Sequence, residues 1–462
     1  MTPGMMSGPA PLADGDRRRH HGGARRSRDV MTTVAKPRLS PLLGHGDHLW
    51  RNFLFLATFL LWFFGVSPFK DTNDPTLLEP KVEADPLNQA LTVLLTGALA
   101  IFAITKREAL VTRAWTLPLF LTFIGFVISA LLSPYPDVAA RRIVLASFTI
   151  LQASVVLLLP HGRQHFARLL TVGSLVVIAT CYFGVAFLPT LSMHQISDPS
   201  DLALAGDWRG VFGHKNGAGA GMVLLIFFGM FIYGAWSRFA GLLVIVLAGI
   251  FLYFTHAKSP LNLLPVVLAL SYFAARLRSS ASALALILGV VVLINLMTVG
   301  SVMFEPIRDL VGRLLSDPTY TSRDEIWRFT LDHIAERPWF GFGFEAFWGM
   351  PDLVNAWSHT ETWAYRASDA HNGYLNLAVT IGLFGLLLSL LWIIAQPFAD
   401  FRHARAMEAD PALTTLFLRI WIFGLCLSGF ESVFFRGGSE TWLWMAISII
   451  GLRLQTIAKN SG

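Results

Sequence analysis

The chain is poor in charge. Only 14% of its 462 residues are Asp, Glu, Lys or Arg, while 54% are hydrophobic, and a soluble globular chain carries about 25% charged residues. With a mean hydropathy of +0.55, a water-solvated globule is excluded and lipid is the expected solvent. Cysteine is almost missing. Cys181 and Cys426 both fall inside apolar runs, so no disulfide framework is implied. The sequence has no H-E-x-x-H, no paired-cysteine motif and no tight acidic cluster beside the motifs below, which disfavours metal catalysis. Without a phosphate-binding P-loop, nucleotide-driven transport by this chain alone is disfavoured too. No internal repeat is visible.

Long apolar runs are what the chain has instead. A helix crosses the hydrocarbon core with about 20 residues, roughly 17 to 25, and about twelve such runs start near residues 50, 87, 116, 143, 169, 216, 239, 261, 281, 372, 414 and 441. The expected fold is all-α, a polytopic membrane protein of about 12 transmembrane helices over residues 49–456, preceded by a disordered cytoplasmic tail over residues 1–48. The net charge of +6 sits mostly in that tail, at Arg17 to Arg19, Arg25, Arg26 and Arg28. A cytoplasmic flank explains these bases better than a nucleic-acid partner. The first run is too long for a signal-peptide core, and no small-residue cleavage site follows it.

Short-loop basicity sets the orientation. With both termini in the cytoplasm, the inside loops hold Lys106, Arg107 and Arg113, Arg163 and Arg168, Arg238, Arg276 and Arg278, Arg402 and Arg405, then Arg453 and Lys459. Arg141 and Arg142 run against the pattern, and the first outer loop, residues 70–85, is acid-rich. Three outer segments follow: residues 191–216, the turn 255–260, and residues 301–371. A connection of about 70 residues is far beyond the usual length and such loops are usually functional. Ser322 and Glu325 predict a capping box, and Trp327, Leu331 and Ile334 predict an amphipathic helix after it, ended by Pro338. That helix is expected to lie on the membrane surface with its aromatics at headgroup level; aromatics that stack on sugar rings are a second reading, compatible with the first. Residues 339–344 read as a glycine-punctuated aromatic turn.

Three polar clusters lie on the outer side. The first holds Asp207, Trp208, Arg209, His214, Lys215 and Asn216, next to Gly217, Gly219 and Gly221, which permit close backbone approach. The second runs from Thr321 to Trp327, with Arg323 in the first turn of a helix, where unpaired N–H groups favour anions. In the third, Asp369 stands ready to orient His371 and Asn372 to fix a substrate hydroxyl; histidine suits proton transfer near neutral pH. Outside the cytoplasm there is no nucleotide sugar, so a glycosyl donor there needs a lipid diphosphate. Arginine matches that group with two parallel hydrogen bonds and a permanent charge.

In order and setting these clusters resemble the O-antigen ligase and Wzy-type polysaccharide polymerase family. That family carries an Arg-Gly-x-Phe-x-x-x-Asn element, a Ser-Arg-x-x-x-Trp helix, a Pro-x-x-Gly-x-Gly turn and a His-Asn element. Here these are Arg209 to Asn216, Ser322 to Trp327, Pro338 to Gly343, and His371 with Asn372. The wording of the first element is similar to the exopolysaccharide-polymerase branch. The resemblance implies a GT-C-like, metal-independent, inverting glycosyltransferase of the bacterial inner membrane, with no cofactor and a periplasmic active site. Undecaprenyl diphosphate-linked oligosaccharide would be donor and acceptor, and a chain-length regulator and export proteins would be partners. It further implies that Arg209 and Arg323 hold the departing diphosphate and that His371 deprotonates the acceptor. Lys215, Asn216, Trp327 and Asn372 would contact substrate. Lys258 stands where many members have Ser-Arg, so its phosphate contact is open. A ligase moving the glycan to lipid A core or protein, and a transporter or flippase, are the alternatives. Transporters show repeats and midplane charges, whereas the runs here are nearly free of charge, Arg419 apart.

Overall fold

A computed structural model describes residues 45–69, 71, 86–106, 108–196, 204–315, 317–357 and 362–460. The expected tail, up to residue 44, most of the first outer loop and Arg107 lie outside the described residues. Among the described residues the chain is helical and has no named strand. In order, the helices are α1 (His45–Phe64), α2 (Pro86–Lys106), α3 (Glu108–Ala114), α4 (Leu117–Leu131), α5 (Pro136–Val156), α6 (Arg163–Phe187) and α7 (Pro189–Ser192). Then come α8 (Lys215–Ala235), α9 (Arg238–Phe254), α10 (Lys258–Arg276), α11 (Ser280–Met297), α12 (Val299–Met303), α13 (Glu305–Leu314) and α14 (Arg323–Glu336). The chain closes with α15 (Pro351–Trp357), α16 (Gly373–Leu390), α17 (Gln396–Ala406), α18 (Pro411–Leu427) and α19 (Glu440–Asn460). Seven of the described helices are long and apolar enough to cross a membrane, and four shorter apolar helices accompany them.

The bundle forms around α8, whose apolar residues are buried on nearly every side against α6, α9 and α18. Such a helix is hydrophobic all round and belongs at the centre. By contrast, α2 and α11 turn apolar side chains such as Leu94, Ile101, Val292 and Leu293 outward, as lipid contact requires. At one end of the bundle Arg51 donates to the carbonyls of Leu158 and Leu159, Arg163 pairs with Asp410 at 3.3 Å, and Arg453 pairs with Asp400 at 3.2 Å. The motif-bearing segments gather at the other end.

There the long connection is folded rather than loose. Ile326, Trp327, Phe329, Phe347, Trp348 and Tyr365 form a hydrophobic core of their own with Leu375 and Val379 of α16. The helix predicted from Trp327, Leu331 and Ile334 exists as α14. Its buried face is Ile326, Trp327, Phe329, Thr330 and His333, while Leu331 and Ile334 are half-buried. It packs on α16, which corrects the expectation of a helix lying on the lipid surface. The capping box does not form. Ser322 adopts φ 61°, its side chain makes no cap bond, and Tyr320 and Thr321 are left-handed as well. Asp317 does the holding instead, accepting from the N–H groups of Thr319 and Thr321 at 3.0 and 2.8 Å and from the Thr319 hydroxyl.

The aromatic turn after Pro338 is inserted into α16. Gly382 breaks that helix with φ 69° and ψ 177°. The N–H groups of Phe342 and Gly343 donate to the Val379 and Thr380 carbonyls, and those of Leu383 and Phe384 donate to Pro338 and Trp339. A Cβ on Gly382 would sit 2.3 Å from the backbone of Trp339 and Phe340. Only glycine fits.

Candidate functional site

The segment before α8 is drawn back onto α7: the N–H groups of Arg209 and Gly210 both donate to the Ser192 carbonyl at 2.9 Å. This leaves Asp207 with Oδ2 2.6 Å from Lys215 Nζ and Oδ1 2.6 Å from Nδ1 of His256. Arg209 is fully buried and donates from Nη1 to the Phe212 carbonyl at 3.1 Å. In the first turn of α8, Asn216 reaches outward and its amide donates to Glu431 Oε1 at 2.9 Å.

Glu431, in the connection between α18 and α19, is where the clusters meet. Arg323, at the start of α14, donates to Glu431 Oε1 at 2.8 Å and also to the Phe430 carbonyl. His371 brings Nδ1 to 3.2 Å from Glu431 Oε2. Burial would raise the Glu431 carboxyl, but the Arg323 guanidinium and then the His371 contact outweigh it and hold it down at about 2. The site thus has a fixed anion between a permanent cation and an imidazole. An ionised carboxylate only accepts, so Nδ1 of His371 carries the hydrogen in this contact; that assignment follows from the hydrogen-bond geometry.

His371 sits at φ 45°, the kind of strained backbone that needs over-determined surroundings. Its own N–H donates to Asp369 Oδ1 at 2.8 Å, while its Nδ1 is 3.9 Å from the same oxygen. Asp369 therefore fixes the backbone of His371, and Glu431 is the nearer partner of the ring. Oδ2 of Asp369 meets Arg436 at 3.2 Å. Burial would raise the Asp369 carboxyl, yet Arg436, with His371, keeps it well below the usual range. Next in the chain, Asn372 caps α16. Its Oδ1 accepts from the N–H groups of Tyr374 and Leu375, and its Nδ2 donates to Asn295 and to the Gly429 carbonyl. Trp327, also fully buried, donates its indole N–H to the Ala370 carbonyl at 3.1 Å.

Of the residues singled out from sequence, Arg323, Asn216 and His371 converge on one carboxylate. Lys215, next to Asn216 in the first turn of α8, is instead paired with Asp207. Lys258 is exposed at the start of α10 and, after the Thr319 hydroxyl, helps hold the Asp317 carboxyl down. Arg209, Trp327 and Asn372 are buried where they brace the backbone, so none offers an open face to a sugar ring. Glu431 and Arg436 were missed. Their signal was slight: two opposite charges in a short connection between the last two apolar runs, on the side where the three clusters gather.

Residues 211–390 match the family model described as O-antigen ligase. That segment holds three of the four motif elements whole and the first from Val211 onward, so the resemblance read from the motifs is shown over it. Along 110 residues the chain is 24% identical to the exopolysaccharide production protein ExoQ of Rhizobium meliloti (strain 1021), a stretch covering 23% of this chain and 25% of that relative. The match spans about a quarter of the relative's length.

Proposed function

We propose that the chain is a membrane glycosyltransferase that polymerises undecaprenyl diphosphate-linked oligosaccharide into an exopolysaccharide-like polymer, by an inverting, metal-independent transfer on the periplasmic side. One observation carries the reading: Glu431 binds Arg323, His371 and Asn216 together at the mouth of the bundle. An acceptor hydroxyl attacks the anomeric carbon of the donor, and the bond from that carbon to the lipid diphosphate breaks. The hydroxyl proton passes to Nε2 of His371, and the charge that the ring gains is stabilised by Glu431. Developing negative charge on the departing diphosphate is met by Arg323, with Lys215 close by. Preorganised charge of this kind is usually the largest single contribution to a transition state, and a placed base adds about 100- to 10,000-fold.

Polymerisation is preferred to ligation because the similarity extends to a protein named for exopolysaccharide production. Purified enzyme supplied with lipid-linked repeat units tests the reading. His371→Ala should insert normally and accumulate single repeats, and His371→Asn should fail too, since an amide bonds to the hydroxyl without taking its proton. Normal chain growth by the Asn variant would reduce His371 to a positioning residue.

A further inference from the structure

Arg436, whose carboxylate partner Asp369 holds the backbone of His371, also lines a cavity of about 590 Å³. That volume lies within the roughly 300–1,000 Å³ of small-molecule sites. One wall comes from α1, α2 and α5 and the other from the folded connection around Trp348 and Tyr365. Four arginines line it, Arg141, Arg142, Arg366 and Arg436, against a single carboxylate, Glu345, among the described residues. Glu345 is 4.0 Å from Arg142 and accepts from Asn376 at 3.0 Å. Arg141 has no ion-pair partner among the described residues, and Arg366 donates only to the neighbouring Tyr365 hydroxyl. Arg141 and Arg142 were the two bases that broke the charge pattern of the loops, and here they face the same space.

Arg436 is paired with Asp369 and Arg142 stands near Glu345, which leaves Arg141 and Arg366 as two guanidiniums without an ion pair among the described residues. They fit an anion, which arginine grips through two parallel hydrogen bonds. The remaining lining narrows the ligand. Trp62, Trp348 and Tyr365, each largely buried, add aromatic surface to the wall, and Asn88 and Gln89 give amides able to both donate and accept. A bare phosphate has no use for aromatic walls; a pyranose ring has an apolar C–H face and a rim of hydroxyls. We propose that this cavity binds an acidic oligosaccharide, the carboxylate-bearing saccharide of the acceptor, on the side of Asp369 that Arg436 occupies. Its place in the reaction rests on the transferase reading, whereas the binding itself does not.

Full-length protein in detergent, titrated with trigalacturonate, maltotriose and inorganic pyrophosphate, tests this through quenching of tryptophan fluorescence. Trigalacturonate should bind, maltotriose at least tenfold more weakly. Arg141→Gln combined with Arg366→Gln should weaken trigalacturonate at least tenfold; both side chains are exposed and free of ion pairs among the described residues, so the fold is spared. Equal binding of maltotriose, or unchanged affinity in the double variant, overturns the proposal. So does pyrophosphate binding as tightly as trigalacturonate and weakened by the same substitutions, which assigns the cavity to a lipid diphosphate. Trigalacturonate bound normally by His371→Ala supports the cavity irrespective of activity, so failure of the transferase reading and failure of the site are distinguishable.

Discussion

Replacing Glu431 by Gln removes one charge and almost no volume. Three donors now share its two oxygens, from Arg323, Asn216 and His371 at 2.8, 2.9 and 3.2 Å. Glutamine offers one acceptor oxygen, and its NH₂ must face at least one of those donors. Hydrogen bonds to charged groups contribute about 1.5–3 kcal/mol each. The larger effect falls on the transition state, where the imidazolium loses the carboxylate behind it. Loss of the base function alone is about 100- to 10,000-fold, or roughly 3–5 kcal/mol of barrier at about 1.4 kcal/mol per tenfold. Enzyme reconstituted in lipid nanodiscs with lipid-linked repeat units, with product read as a polymer ladder, should show turnover of Glu431→Gln down by about that factor. Glu431→Asp, which keeps the charge one methylene further away, should fall in between. A Gln variant that builds chains at close to the normal rate would refute the reasoning, since the carboxylate would then be only a tie between helices.

Stability should respond to acid in a defined direction. A carboxyl held down at about 2 keeps in the folded chain a charge that the unfolded chain loses at higher pH; this stability is present above the ordinary carboxylate range and is lost as pH falls toward about 2. Thermal unfolding followed across that range should show the loss, and Glu431→Gln should flatten it. Arg209→Lys should lower the melting temperature along with activity, because a fully buried ammonium cannot reproduce the guanidinium bond to Phe212; unchanged melting with a large loss of turnover would return Arg209 to the substrate. Gly382→Ala should destabilise by more than the roughly 1–3 kcal/mol cost of its glycine-only backbone conformation, since its Cβ meets backbone 2.3 Å away; a wild-type melting curve would contradict this. For topology, a cysteine at Lys258 should react with an impermeant thiol reagent in intact cells, and one at Arg405 only after permeabilisation. The reverse pattern would overturn the orientation.

Every apolar run read from the sequence is answered by a helix, because in lipid a single stretch of about 20 apolar residues can satisfy its own backbone only as a helix, a barrel needing partner strands. The largest offset is at α5, which begins at Pro136 rather than near residue 143; Arg141 and Arg142 hid its first turns from a reading based on hydrophobicity. The site was only partly legible. Arg323, Asn216 and His371 announce themselves as polar groups at helix entries, but their convergence on Glu431 joins residues 60 to 215 positions apart, and no local pattern encodes such a distance. Ser322 misled because a serine three residues before a glutamate is a cap only when its own backbone is extended, and here it is left-handed. The break at Gly382 was invisible for the opposite reason: a lone glycine in an apolar run reads as an ordinary helical residue.

That break also dictates an order of assembly. The turn that completes the hydrogen bonding around Gly382 precedes that glycine in the chain by some 40 residues. A nascent α16 entering lipid before the turn has docked would carry open carbonyls and amides, each costing several kcal/mol there. Docking of the preceding connection is therefore a condition for α16 to become a stable element. A deletion between residues 338 and 343 should consequently fail at biogenesis, as protein removed by quality control, before any question of catalysis arises.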